Sequence, residues 1–434
     1  MIGVGYAGTA VQAVSLDHGT KSDQSAHPNH RHRNRPSPLR SGVMPMPTTV
    51  FAYGFRPFFL AAGLVALVLV PWWAASLAFG TPLGTAWPPT LWHAHEMLFG
   101  FIGAAIAGFL LTAVPSWTGQ RGFAGMPLMW LSALWALGRL LVGSSALWPL
   151  PLVAVVDLAF LPALAALIGP PLLRSRNRNT PLLLVLGLLW TVNAVCYWKL
   201  AQLDPARAAL ALRVGIDVVL LLATVIGGRI IPAFTASGIK ARGDDVALRT
   251  WPGITPLVIA LMVGVTIVDV VLPGGVVAGW IALAASLAQA IRLLQWRTQR
   301  TLRLPIIWVL HLGYVWLPIG LLLKGLALLT GAAIAAYWLH ALTIGALATM
   351  ILGVMTRATL GHTGRPISSA PLTTLAYVLL AAAAVVRVFG PSWWRHDYPA
   401  VIVVSALLWT GAFALFVVVY GPMLCSPRVD GKAG

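Results

Sequence analysis

Two histidines and a glutamate open one of the apolar stretches of this 434-residue chain, in the segment Trp92-His93-Ala94-His95-Glu96-Met97. An ionisable side chain in hydrocarbon is costly, so one that persists there is paired or functional. On a helix, residues i and i+2 lie about 200° apart around the axis. His93 and His95 should therefore face different neighbours, and they can share one metal only if the helix unwinds between them. The spacing predicts two sites, or one ligand beside one hydrogen-bonding histidine. Glu96 is the only glutamate in the chain. It could accept an imidazole N–H, coordinate metal or take part in proton transfer. His340 begins another apolar run at a similar depth. Three imidazoles and a carboxylate at one depth form a donor set for haem iron or copper, both of which take neutral imidazole. Taken singly, each histidine reads equally well as a hydrogen-bonded interfacial residue.

A second group lies toward the opposite end of the apolar runs. His311 sits inside one run, and His362 follows another, close to Arg357 and Arg365, with Arg56 and Arg229 in neighbouring segments. Arginines of this kind can clamp an anion, such as a haem propionate, through two parallel hydrogen bonds. They serve equally well as basic anchors at a membrane face. Met97, Met350 and Met355 could supply thioether ligands to copper, although methionine in an apolar bundle is more often packing. Asp157, Asp217 and Asp269 should pair with Arg139, Arg213 or Lys324, or belong to a proton path. The two cysteines, Cys196 and Cys425, form no CxxC or CxxCH pattern. Thiolate zinc sites, iron–sulfur clusters and covalently attached haem are thereby disfavoured, and any metal must rely mainly on histidine.

The elements that position these residues are transmembrane helices. The chain is 59% hydrophobic and 9% charged, too little charge to cover a water-soluble surface. Twelve runs, each long enough to cross a hydrocarbon core of about 30 Å, are predicted at 57–79, 92–115, 127–147, 151–172, 181–200, 208–231, 253–272, 275–294, 305–328, 333–356, 371–390 and 400–424. Of the 29 basic residues, seven (Arg139, Lys199, Arg207, Arg213, Lys324, Arg387 and Arg395) fall on one side and the other 22 on the side of the N-terminus. The positive-inside rule then predicts an all-α polytopic membrane protein with both termini cytoplasmic. Basic residues scattered between apolar runs are not a nucleic-acid surface, so the expected partner is the lipid bilayer. Trp72, Trp73, Trp87, Trp92, Trp117, Trp251, Trp338, Trp393 and Trp394 fall at span ends, as interfacial belts do.

Residues 1–50 carry His18, His27, His30 and His32 among arginines and lack the apolar core of a signal peptide. They read as a disordered basic tail, with Met44 and Met46 as alternative starts. Residues 51–424 form the twelve-helix domain, and 425–434 a short cytoplasmic tail.

Several motifs then occur in order: Gly54-Phe55-Arg56-Pro57-Phe58-Phe59, Trp92-His93-Ala94-His95-Glu96-Met97-Leu98-Phe99-Gly100, and Gly108-Phe109-Leu110-Leu111-Thr112-Ala113-Val114-Pro115. Further along come Gly227-Gly228-Arg229, His311-Leu312-Gly313-Tyr314 and His340-Ala341-Leu342-Thr343, and then the run from Met355 through His362 to Arg365. Over residues 51 to 424 the chain resembles the NnrS family. The resemblance implies a bacterial inner-membrane protein of twelve helices that binds non-covalent haem and copper. It also implies a link to nitric oxide metabolism or protection from nitrosative stress. Under that reading His93, His95 and His340 are the expected metal ligands, with His311 and His362 behind them. Redox turnover of nitric oxide or a related small ligand would draw on an external electron donor. The rival reading is a twelve-helix secondary transporter of a small or anionic solute. Against it, the loop from Ser116 to Met126 lacks the charged signature of the commonest such superfamily, and no internal repeat is evident.

Overall fold

The computed structural model describes residues 49–244, 251–394 and 396–432. Residues 1–48 of the predicted tail, with its four histidines, lie outside the described residues, as do Arg249 and Arg395. Among the described residues twelve helices are long and apolar enough to cross a membrane: α1 Phe55–Phe79, α2 Pro89–Thr118, α3 Met126–Gly143, α4 Leu150–Arg174, α5 Leu182–Ala201, α6 Pro205–Lys240, α7 Ile254–Val271, α8 Val276–Leu294, α9 Pro305–Thr330, α10 Ala333–His362, α11 Pro371–Trp393 and α12 Tyr398–Cys425. No strand occurs among the described residues. The chain is a multi-pass membrane protein.

Local chemistry explains where these helices begin and end. α6 and α12 are capped by the carboxylates of Asp204 and Asp397, which accept from the amides of Arg207 and Ala400, each at 3.0 Å. Proline occupies the first turn of α2, α6, α9 and α11, where the missing N–H costs nothing. α1, α2 and α9 stop at Gly80, Gly119 and Gly331, whose φ angles of 70°, 66° and 66° are left-handed. Three predicted ends move by four residues or more, that of the tenth helix, which reaches His362, among them. The third helix ends at Gly143, and Ser145–Leu147 forms a separate 3₁₀ turn. The sixth runs on to Lys240, because hydropathy marks where a helix leaves hydrocarbon and not where its hydrogen bonding stops.

Consecutive helices pack side by side, and α12 closes against α1. The α1–α12 contact is pinned by the Trp409 indole, which donates to the Ala66 carbonyl at 2.8 Å. α2, α9 and α10 are the most enclosed helices. Small residues let them approach: Gly345 of α10 lies against the Trp316 side chain of α9, and Gly108 of α2 against Phe59 of α1. The tryptophan belt is only partly interfacial. Trp251, Trp393 and Trp394 are exposed as expected, whereas Trp73, Trp87 and Trp92 are buried. Their position in sequence is near a span end, but in space Trp73 and Trp87 pack on His93 and His95, and Trp92 packs on Trp72.

The segment after α12 is not a free tail. The Arg428 guanidinium donates to the His362 carbonyl at 2.7 Å, and the Val429 amide donates to Thr363 O at 3.2 Å. Arg428 also grips Asp430 through two hydrogen bonds of 2.9 and 2.6 Å. These hydrogen bonds from Arg428 hold the Asp430 carboxyl down at about 2. A depressed carboxylate contributes above its ordinary value of 3.8 and loses its contribution as the pH falls to about 2, so the Arg428–Asp430 pair stays ionised at neutral pH. Arg428→Ala should free residues 426–432, and limited proteolysis of the detergent-solubilised protein should then clip the C-terminus while the helical domain stays intact.

Candidate functional site

The chemistry-bearing residues of α2 and α10 sit where both helices widen into π-helical turns. In α2 the π segment is Glu96–Ile102, directly after His95; in α10 it is Ala341–Ala348, directly after His340. A π turn misaligns the backbone ladder and persists where something offsets its cost, frequently at functional sites. Composition and periodicity do not register such a turn, so it is visible only in the fold.

As the i, i+2 geometry predicted, His93 and His95 face different neighbours. The His93 ring stacks on Trp73 of α1, with ring centroids 3.9 Å apart and planes inclined by 17°. His93 and His340 line the same cavity of about 490 Å³ between α1, α2, α6, α10, α11 and α12. Most of its wall is apolar, including Met97, Phe101 and Trp409, with Thr343, Ser405, Tyr398 and Arg387 as polar points. Three enclosed polar atoms of its lining residues lack a hydrogen-bond partner, His93 Nδ1, Arg387 Nη1 and Trp73 Nε1.

His95 is held elsewhere. Asn193 Nδ2 donates to Asp157 at 2.8 Å, which turns Asn193 Oδ1 toward His95 Nε2 at 3.0 Å. His95 Nδ1 meets Glu96 Oε1 at 3.1 Å. Both ring nitrogens are thus engaged with oxygens, and His95 lines no part of the cavity. Arg139 of α3 completes the cluster by donating to Glu96 at 2.6 Å and pairing with Asp157 of α4. The Tyr197 hydroxyl donates to Asp157 at 3.1 Å. The expected Asp157–Arg139 and Asp269–Lys324 pairs both form.

The opposite half of the bundle does not assemble a second metal-binding group. His311 is fully buried, and its Nε2 meets the Thr235 hydroxyl at 2.8 Å. That hydroxyl already donates to Ile231 O at 2.8 Å, so the imidazole is the donor. His311 Nδ1 then accepts from Thr298 at 2.9 Å. His362 is the last residue of α10, not a loop residue beyond it, because the helix continues six residues past the predicted end; its ring packs on Tyr53 and Phe55. The expected anion clamps are dispersed. Arg56 is fully buried and caps the end of α12, donating to the carbonyls of Leu424 at 2.9 Å and Ser426 at 2.8 Å. Arg229 donates to Asn179 at 2.7 Å, and Arg357 lies 4.0 Å over the Phe234 ring. The backbone amide of Arg365 donates to Leu360 O at 2.9 Å. Met350 and Met355 line a separate apolar cavity of about 110 Å³, which includes no histidine. Among the described residues no three His, Cys, Asp or Glu side chains converge as a metal-binding group.

Trp73, Asn193, Tyr197 and Arg387 are the residues of this region that sequence reasoning did not assign to it. Arg387 carried a usable signal. It is a charge inside an apolar run, the same criterion that selected the histidines, but it was counted only toward membrane orientation.

A membrane protein of twelve helices, with two histidines on one apolar cavity, is the class that this fold and site define. The family profile described as NnrS protein matches residues 49–428, and the chain belongs to the NnrS family. None of the curated proteins matches the chain.

The Arg139 bridge yields a stability test. Arg139→Met leaves Glu96 and Asp157 buried without their cation, a change that should cost about 3–5 kcal/mol. Thermal unfolding in detergent should show a correspondingly large fall in midpoint, whereas Arg207→Met, at an exposed ion pair, should leave it nearly unchanged.

Proposed function

We propose that this NnrS-family protein binds haem in the cavity shared by His93 and His340 and acts in the bacterial response to nitric oxide. The observation that carries the reading is the pair of imidazoles on one apolar cavity of about 490 Å³, a volume within the range of about 300–1,000 Å³ typical of cofactor sites. The residues fit the group. Nδ1 of His93 and Nη1 of Arg387 lack a hydrogen-bond partner, and no carboxylate pairs with Arg387 among the described residues; an iron and a propionate call for such a nitrogen and such a cation. When bound, haem would supply an iron that takes nitric oxide or a similar small ligand.

The protein's own part is positional. Trp73 fixes the plane of His93 by stacking, and the π turn after His340 sets where that helix presents its imidazole. Arg387 meets a carboxylate, with Tyr398 holding its other terminal nitrogen at 2.9 Å. Met97, Phe101 and Trp409 exclude water. Copper is the second metal expected of the family. Met97 is the one thioether on this cavity, and two imidazoles with a thioether suit copper(I). Because these donors are also the ones assigned to haem, the cavity supports one metal centre. His95 serves as a supporting residue, and His311 and His362 as structural ones. The protein resides in the inner membrane with both termini cytoplasmic, a reading supported by the distribution of its basic residues.

Purified protein should show a haem Soret band and bound iron. His93→Ala and His340→Ala should each abolish or strongly shift that band, while His311→Ala keeps it. Iron-free, colourless protein from haem-replete cells would sink the proposal and return the chain to the transporter reading.

A further inference from the structure

A second cluster of buried charge lies apart from the histidine cavity and has no part in the reading above. Asp217 is the thirteenth residue of α6, about 18 Å along it at 1.5 Å per residue. It is 3% exposed. The charged groups facing it are Asp269 from α7, Lys324 from α9 and Arg213 one turn earlier on its own helix. Lys324 is 2% exposed and pairs directly with Asp269, while its ammonium also lies 4.9 Å over the Trp338 ring. Arg213 is exposed. None of the three inner residues lines the histidine cavity.

The charges within the cluster do not balance if both acids are ionised. Lys324 is matched by Asp269, so an ionised Asp217 would leave one net negative charge in the membrane interior. Its Oδ2 has no hydrogen-bond partner, although the atom is fully enclosed. A buried carboxylate with an unanswered oxygen costs several kcal/mol, whereas a neutral carboxylic acid in the same place costs far less. A proton on Asp217 also removes the repulsion between two neighbouring carboxylates and supplies an O–H that can donate to Asp269.

We propose that Asp217, Asp269 and Lys324 form an intramembrane proton-binding site that holds one exchangeable proton on the Asp217 carboxyl. The proton is bound as Asp217 COOH against the Asp269 carboxylate, with Lys324 cationic, and the triad is neutral as a whole. Release leaves two carboxylates facing Lys324 and the triad with one net negative charge. Arg213, one turn away at the exposed end of α6, marks the short route by which the proton exchanges with water.

Infrared spectroscopy of the full chain in lipid nanodiscs tests this directly. At neutral pH the protein should show a carboxylic acid C=O band that shifts in D₂O. Asp217→Asn should remove the band, and Asp217→Glu should keep an acid band at a moved frequency. Lys324→Met withdraws the buried cation of this cluster, so both carboxyls should become neutral and the signal should roughly double. A merely structural triad would give no such gain. Absence of the band in the native protein, or its persistence in Asp217→Asn, would overturn the proposal. Loss of the band on adding sodium at fixed pH would also overturn it, by making a metal cation the ligand. If Asp217→Asn does not fold, the Glu and Met variants still decide.

Discussion

Inside hydrocarbon a carboxylate must find its cation within the bundle, and in this protein Arg139 meets that demand twice. Its guanidinium reaches Glu96 on α2 and Asp157 on α4 from α3, and Asp157 in turn collects Asn193 and Tyr197 from α5. Four consecutive helices are thereby fixed around the turn at which α2 leaves α-helical geometry. His95 is absorbed into this cluster through both of its ring nitrogens. With that face of α2 anchored, His93 falls on the other side, against Trp73 and the cavity. The placement of the presented histidine thus depends on the placement of the one that is tied down.

The two π turns extend the same reasoning. Each begins at the residue following a histidine, in helices that are among the most enclosed of the bundle. A π turn costs backbone hydrogen-bond quality, and in lipid no water offsets that cost, so it persists only where neighbouring helices support it. Gly345 lies within the α10 segment and packs on Trp316, which lets α9 approach the widened helix. The strain and the close packing belong to one arrangement. It gives each histidine a backbone that a regular helix would not supply.

Much of this architecture was legible in the sequence because it follows from one-dimensional rules. Span length, hydropathy and the scarcity of charge located all twelve helices, and the i, i+2 spacing separated His93 from His95. What the sequence withheld depends on which helices touch. His95 and His93 are indistinguishable by burial rules, and only the contact with α4 and α5 shows that one is occupied. Trp73 reads as an interfacial anchor until α1 is seen to lie against α2. Arg56 resembles an anion clamp until the end of α12 supplies the carbonyls that consume it. His311 likewise looks available until its two threonines are placed.

The distribution of charge also separates the two halves of the bundle. All four intramembrane acids, Glu96, Asp157, Asp217 and Asp269, lie in the half where even-numbered helices begin. There Arg139 answers two of them and Lys324 a third. Arg387 shares that half and is 5% exposed, yet no carboxylate pairs with it among the described residues. Its neighbours are the rings of Tyr337 and Tyr398 and one tyrosyl hydroxyl. Asp217 is the converse case, an acid left over after the lysine has been matched. A leftover acid can neutralise itself by holding a proton. A leftover guanidinium cannot shed one at any accessible pH, so its charge calls for an anion from outside the helices. The cavity wall where Arg387 stands is the place such an anion can reach, which is why the proposed haem site takes in the cation together with the two histidines.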